Sequence, residues 1–162
     1  MSKGKGFLTY ERQFMQRTLS IYKAMVVRFG ERKNQKGQVT RVAREIPFTL
    51  AEFRAKVEEV AGPKGVNPWQ CRYCQGWITI AEMATDHEIP VSRGGALGLS
   101  NIGLICQPCN FRKGKLLPAE WTALYNALQQ WPDVARRDVL QRLEIAVQLA
   151  AKDRQNRAKA FR

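Results

Sequence analysis

All four cysteines of the chain fall in two pairs of equal spacing, Cys71-Arg72-Tyr73-Cys74 and Cys106-Gln107-Pro108-Cys109. In such a turn two thiolates converge on one point, and two such knuckles complete a tetrahedral shell for Zn²⁺ at about 2.3 Å per sulfur. A four-sulfur shell is closed to water, so the site is structural and its binding energy counts as folding energy. A thioredoxin-like redox protein would carry one such pair in a βαβ context, and unrelated buried thiols would not repeat the spacing. The 31 residues between the pairs exceed the roughly 15–20 of a simple zinc ribbon. The other chemistry-bearing residues lie in and just after that insert: Asp86-His87-Glu88-Ile89-Pro90, Ser92-Arg93-Gly94-Gly95, Ser100-Asn101-Ile102 and Asn110-Phe111-Arg112-Lys113. His87 is the only histidine, with Asn101 14 residues after it and Asn110 nine beyond that.

Taken in this order and spacing, the two knuckles, Asp-His-x-x-Pro, the Gly-rich loop, Asn-Ile, Cys-Asn and the nearby Lys resemble the HNH endonuclease family. The similarity is to its zinc-stapled, four-cysteine ββα-metal type, whose free-standing members include phage and homing-like enzymes, and it covers about residues 68–115. Asn110 stands where the family name has its second His, a substitution that many members carry. The resemblance implies a strand over residues 84–89, a loop over 91–100, a strand over 102–105 and a helix starting near Gln107 that carries Asn110. A hairpin on one helix buries little apolar surface, which is why a zinc staple is expected beneath it.

The activity implied is metal-dependent hydrolysis of DNA phosphodiester bonds, by nicking or by double-strand cutting. By the same resemblance, Asp86 and Asn110 hold one Mg²⁺ or Mn²⁺ through hard oxygen donors. That ion would polarise the scissile phosphate and take charge on the leaving oxygen. His87 deprotonates the attacking water, a task suited to an imidazole of reference pKa about 6.5. Asn101 orients His87 by bonding loop backbone. Adjacent strand residues point to opposite faces, so Asp86 and His87 can both face the metal only across a local twist or bulge. Arg93, Arg112, Lys113 and Lys115 are candidate phosphate contacts, with plain solubility as their other use.

These residues need elements to hold them. An apolar stripe of Phe14, Leu19, Ile21, Tyr22, Met25, Val26 and Phe29 predicts a helix over 10–29 with Gly30 as its stop. Residues 31–45 read as an exposed basic arm or hairpin. Thr49-Leu50-Ala51-Glu52 is a capping box and predicts a helix over 50–61 with Leu50, Phe53, Val57 and Val60 on one face, closed by Gly62-Pro63. Pro118 opens a helix bearing Trp121, Leu124, Tyr125 and Leu128. After Trp131-Pro132-Asp133, a last helix runs from 133 towards 158 with Leu140, Leu143, Val147 and Ala150 as its stripe. The fold class expected is α+β, a small ββα-metal core flanked by N- and C-terminal helices. Its parts are a basic helix and arm (1–47), a lead-in helix (48–65), the zinc-bearing nuclease core (66–117) and a helical extension with a basic tail (118–162).

Charge points the same way. Lys and Arg number 27 against 14 acids, a net of +13, which attracts polyanions as well as keeping a protein soluble. Residues 1–45 hold 11 basic and 3 acidic side chains, a net of +8, against +2 for 46–117 and +3 for 118–162. Arg32, Lys33, Lys36, Arg41 and Arg44 are therefore the expected phosphate grip, with DNA as the partner and RNA left open. The C-terminal helices leave room for a homodimer or a protein partner. No apolar run approaches the ~20 residues of a membrane span, and no apolar h-region follows the basic start. The expected location is a reducing cytoplasm, bacterial or phage-infected. The competing reading is a zinc-stabilised module that binds nucleic acid or another enzyme, with a vestigial nuclease core.

Overall fold

The computed structural model describes residues 9–33, 39–43 and 45–160, with the backbone alone for 27–33, 39–43, 151 and 153–160. It is a mixed α and β structure of short antiparallel hairpins among helices. Helix α1 (Tyr10–Val26) passes directly into β1 (Val27–Lys33), which pairs antiparallel with β2 (Val39–Ala43). The helix thus ends three residues before its expected last residue, Phe29. Val27 pairs with Ala43, Arg28 with Val42 and Phe29 with Arg41, and this ladder captures β-branched and aromatic residues that suit a pleated surface better than a helical turn.

Helix α2 (Leu50–Ala61) begins at the predicted capping box: the Thr49 hydroxyl accepts from the Glu52 N–H, and Glu52 accepts from the Thr49 N–H. Its buried line is Phe53, Val57 and Ala61, while Val60 is exposed. The spacing of four sets that line, and Val60 lies at its edge. On α1 the buried residues are Phe14 and Thr18. The Thr18 hydroxyl donates to the Phe14 carbonyl at 2.7 Å and accepts from Arg54 Nε at 3.1 Å, so a polar side chain is satisfied where α1 crosses α2.

The short hairpin of β3 (Trp69–Gln70) and β4 (Trp77–Ile78) carries the first knuckle at its tip. Strand β5 (Met83–His87) pairs with β6 (Ile102–Cys106), and β6 runs straight into α3 (Gln107–Lys113). This is the expected strand–loop–strand–helix unit. One core gathers Phe53, Val57, Ile80, Met83, Ile102 and Ile105 around it. Helix α4 (Pro118–Gln129) and α5 (Asp133–Ala160) enclose a second cluster of Trp121, Leu128 and Leu140. Tyr73, inside the first knuckle, packs against both cores, so the knuckle joins the central hairpin to the C-terminal helices. No helix of the described residues is long and apolar enough to cross a membrane.

Candidate active site

Cys71 and Cys74 sit in the β3–β4 turn, where the Cys71 N–H donates to the Gly76 carbonyl and the Gln75 N–H to the Cys71 carbonyl. Cys106 ends β6 and Cys109 lies in the first turn of α3. All four sulfurs lie within 4.8 Å of one another, and Sγ of Cys74 and Cys106 are 3.8 Å apart. Four sulfurs about 2.3 Å from one ion stand about 3.8 Å apart in a regular tetrahedron, so distance and donor set both fit zinc. Without a cation four thiols clustered this closely cannot all ionise. The thiols of Cys106 and Cys109 hold Cys71 well below the ordinary range. Cys106 is itself lowered by Cys109, but its bond to Cys71 and burial outweigh that and push it up to about 12.

Above the knuckles, β5 pairs with β6 in unbroken register, Asp86 opposite Gly103 and His87 opposite Ile102. The expected bulge is absent, and strand alternation separates the two side chains. Asp86 is 5% exposed and turns inward to Lys113, which is itself buried. The ammonium donates to Asp86 Oδ1 at 3.0 Å and to the His87 carbonyl at 3.3 Å, and stands 2.9 Å from Oδ2. Oδ2 nonetheless has no well-directed hydrogen bond. Burial raises the Asp86 carboxyl above its ordinary value, opposed by Lys113. A lysine spent in this way does not offer its charge to a phosphate.

On the other face, His87 and Asn110 line one cavity of about 330 Å³, together with Thr85 and Gln107. Its far wall is α1, through Arg17, Ile21 and Met25. The structure thus brings His87 and Asn110 together and leaves Asp86 outside the cavity lining. Asn101 is buried. Its amide Nδ2 donates to the carbonyls of Ile89 at 2.9 Å and Ala96 at 2.8 Å, and Oδ1 accepts from the Ile89 N–H at 2.9 Å. These bonds clamp the two ends of the loop that leaves His87. Gly95 lies flat against the same segment, where a Cβ would stand 1.8 Å from the Ile89 oxygen.

Of the remaining basic candidates, Arg93 pairs with Glu120 and Arg112 with Glu144, while Lys115 is exposed. Lys36 and Arg44 lie outside the described residues, and the side chains of Arg32, Lys33 and Arg41 do too. Two features escaped the sequence reading. Asn110 and Lys113, three apart on one helical turn, could have been placed side by side. Arg17 could not, because its place in the cavity depends on how α1 packs against β5.

Residues 71–125, about a third of the chain, match the family model described as HNH endonuclease. No curated protein matches the chain.

Proposed function

We propose, from the match of residues 71–125 to the family model described as HNH endonuclease, that this protein hydrolyses DNA phosphodiester bonds with the help of a divalent cation. The observation that carries the reading is the cavity shared by His87, from the end of β5, and Asn110, from the first turns of α3. His87 would take the proton from the attacking water, its approach fixed by the Asn101 clamp on the segment that follows it. Asn101 is a positioning residue in this account, since its amide bonds only backbone. The imidazole would work as a general base at neutral pH without metal ligation.

By the family resemblance Asn110 and Asp86 would supply the oxygen donors to Mg²⁺ or Mn²⁺, but Asp86 lies outside the cavity that Asn110 and His87 share, so as placed the two do not converge on one ion. Asp86 fits in part: a buried carboxylate with one undirected oxygen calls for a cation, and Lys113 now supplies one. A divalent ion would therefore compete with the ammonium for Asp86. At Asn110, in the cavity, a divalent ion would supply polarisation of the scissile phosphate and charge stabilisation on the leaving oxygen.

The same ion pair favours a second reading. A lysine seated on Asp86 is what a nuclease core retained only for binding would show. Plasmid cleavage across a series of Mg²⁺, Mn²⁺ and Ca²⁺, wild type beside His87→Ala, separates the two. Nicking that needs the metal and disappears in the folded His87→Ala protein is the expected result. A wild type that binds plasmid but never cuts it supports the binding module instead.

A further inference from the structure

The cavity wall opposite His87 is built from α1, which lies outside the segment matched to the nuclease family. Arg17 is the cation of that wall. Its Nε and Nη2 both donate to the carbonyl of Met83, the first residue of β5. One guanidinium has five N–H donors in a fixed fork, so anchoring two on one carbonyl holds the plane in place and leaves three for another acceptor. No carboxylate is among the residues lining this cavity, and Arg17 makes no ion pair with one among the described residues. By contrast, Arg93, Arg112 and Lys113 are all spent on acids. An immobilised arginine with spare donors and no counter-ion is arranged for an anion, and a phosphate oxygen accepts such a fork well.

We propose that Arg17 binds a backbone phosphate of the nucleic acid in this cavity, next to the scissile one rather than on it. The distance sets that choice. Met83 and His87 are four residues apart on β5, which spans about 13 Å at roughly 3.3 Å per residue. Arg17 is tied to the Met83 end and the proposed base sits at the other. The strand being cut would then lie along β5, between α1 and α3, with Arg17 fixing its register. This rests on the nuclease reading for which phosphate is scissile, but the phosphate contact itself can be tested without cleavage.

The probe is a labelled duplex of about 30 base pairs, titrated in EDTA across about 50–200 mM salt, beside melting curves of every variant. Arg17→Gln keeps an N–H donor for the Met83 carbonyl and loses the charge, Arg17→Lys keeps the charge, and Arg12→Gln removes a charge from an exposed position of the same helix. Arg17→Gln is expected to weaken binding about 10- to 100-fold and to reduce the salt slope by about 0.9. Arg17→Lys should retain most of the slope, and Arg12→Gln should leave it nearly unchanged. In cleavage, Arg17→Gln should raise KM more than it lowers kcat. An unaltered slope in folded Arg17→Gln, the same loss in Arg12→Gln, or a wild type that does not bind the duplex would overturn the proposal. If the wild type binds through Arg17 but cuts nothing, the nuclease reading fails while this contact stands. If the wild type cuts and Arg17→Gln binds as well as it does, the reverse holds.

Discussion

Asp86 and Lys113 form the most costly polar contact of the described residues, because both side chains are out of water. Removing one partner of a buried pair leaves an uncompensated charge and costs roughly 3–5 kcal/mol. Lys113→Met should therefore lower stability by about that much in urea melts, with the metal-free protein as the reference. The pair also has a pH signature. Burial raises the Asp86 carboxyl above its ordinary 3.8. A carboxyl whose folded pKa lies above its unfolded one binds protons more readily when folded. Its contribution is fully present below the unfolded pKa and is lost as pH rises through the folded one. Wild type should thus gain stability relative to Asp86→Asn as pH falls from neutral towards the ordinary carboxylate range. A stability difference independent of pH would contradict the assignment. Asp86 and His87 were legible in the sequence as neighbours in a motif. That they face opposite sides was decided by the unbroken β5–β6 register, which single residues cannot reveal.

At the scale of elements, the loop from Glu88 to Asn101 is held by contacts that leave little slack. Asn101 bonds both polar groups of Ile89 and the Ala96 carbonyl, and Gly95 has no room for a side chain. Gly95→Ala must push the Ile89 carbonyl aside. It should cost a few kcal/mol, on the order of other strain at a crowded backbone, and reduce cleavage more than duplex binding. The contrast to measure is Gly94→Ala, where a Cβ meets nothing within 4 Å but φ is +88°, so strain without collision should cost less, about 1 kcal/mol. Binding reduced as strongly as cleavage by Gly95→Ala would show that the loop grips the substrate rather than positioning His87. The paired glycines and the Asn were visible beforehand as a loop signature. The collision with Ile89 was not, since it joins residues on opposite arms of the loop.

For the whole molecule, the zinc knuckles join two cores through Tyr73. One zinc per chain is expected by elemental analysis after dialysis. Cys71→Ser or strong chelation should unfold the central hairpin and the C-terminal helices in one transition, since metal binding is folding energy here. A metal-free protein with an unchanged melting curve would remove the staple. Long-range charge belongs to this scale as well. With +8 in residues 1–45, changing Arg32, Lys33 and Lys36 together to Ser should weaken duplex binding at all sequences and reduce the salt slope by about two to three units. Turnover at saturating substrate should change little, and an unaltered slope would assign that charge to solubility or a protein partner.

The sequence alone determined what depends on local spacing. The two Cys-x-x-Cys turns and the capping box at Thr49 each follow from residues a few positions apart, while the Asp-His-x-x-Pro strand and the short helix behind Cys106 came from the resemblance to the HNH family. Periodicity and capping likewise located four of the five α-helices among the described residues. Tertiary structure decided what depends on pairing between distant segments. Helix α1 gives way to β1 at Val27 because β2 supplies a ladder. Lys113 lies inside, not at the surface, because α3 packs its C-terminal turn over β5 and Asp86 waits there. Arg17 enters the cavity because α1 lies across the start of β5 and the Met83 carbonyl anchors it. A side chain's type and spacing state which chemistry it can perform. Which charges face the substrate, and which are spent inside, is set by the partners that packing brings within hydrogen-bond reach.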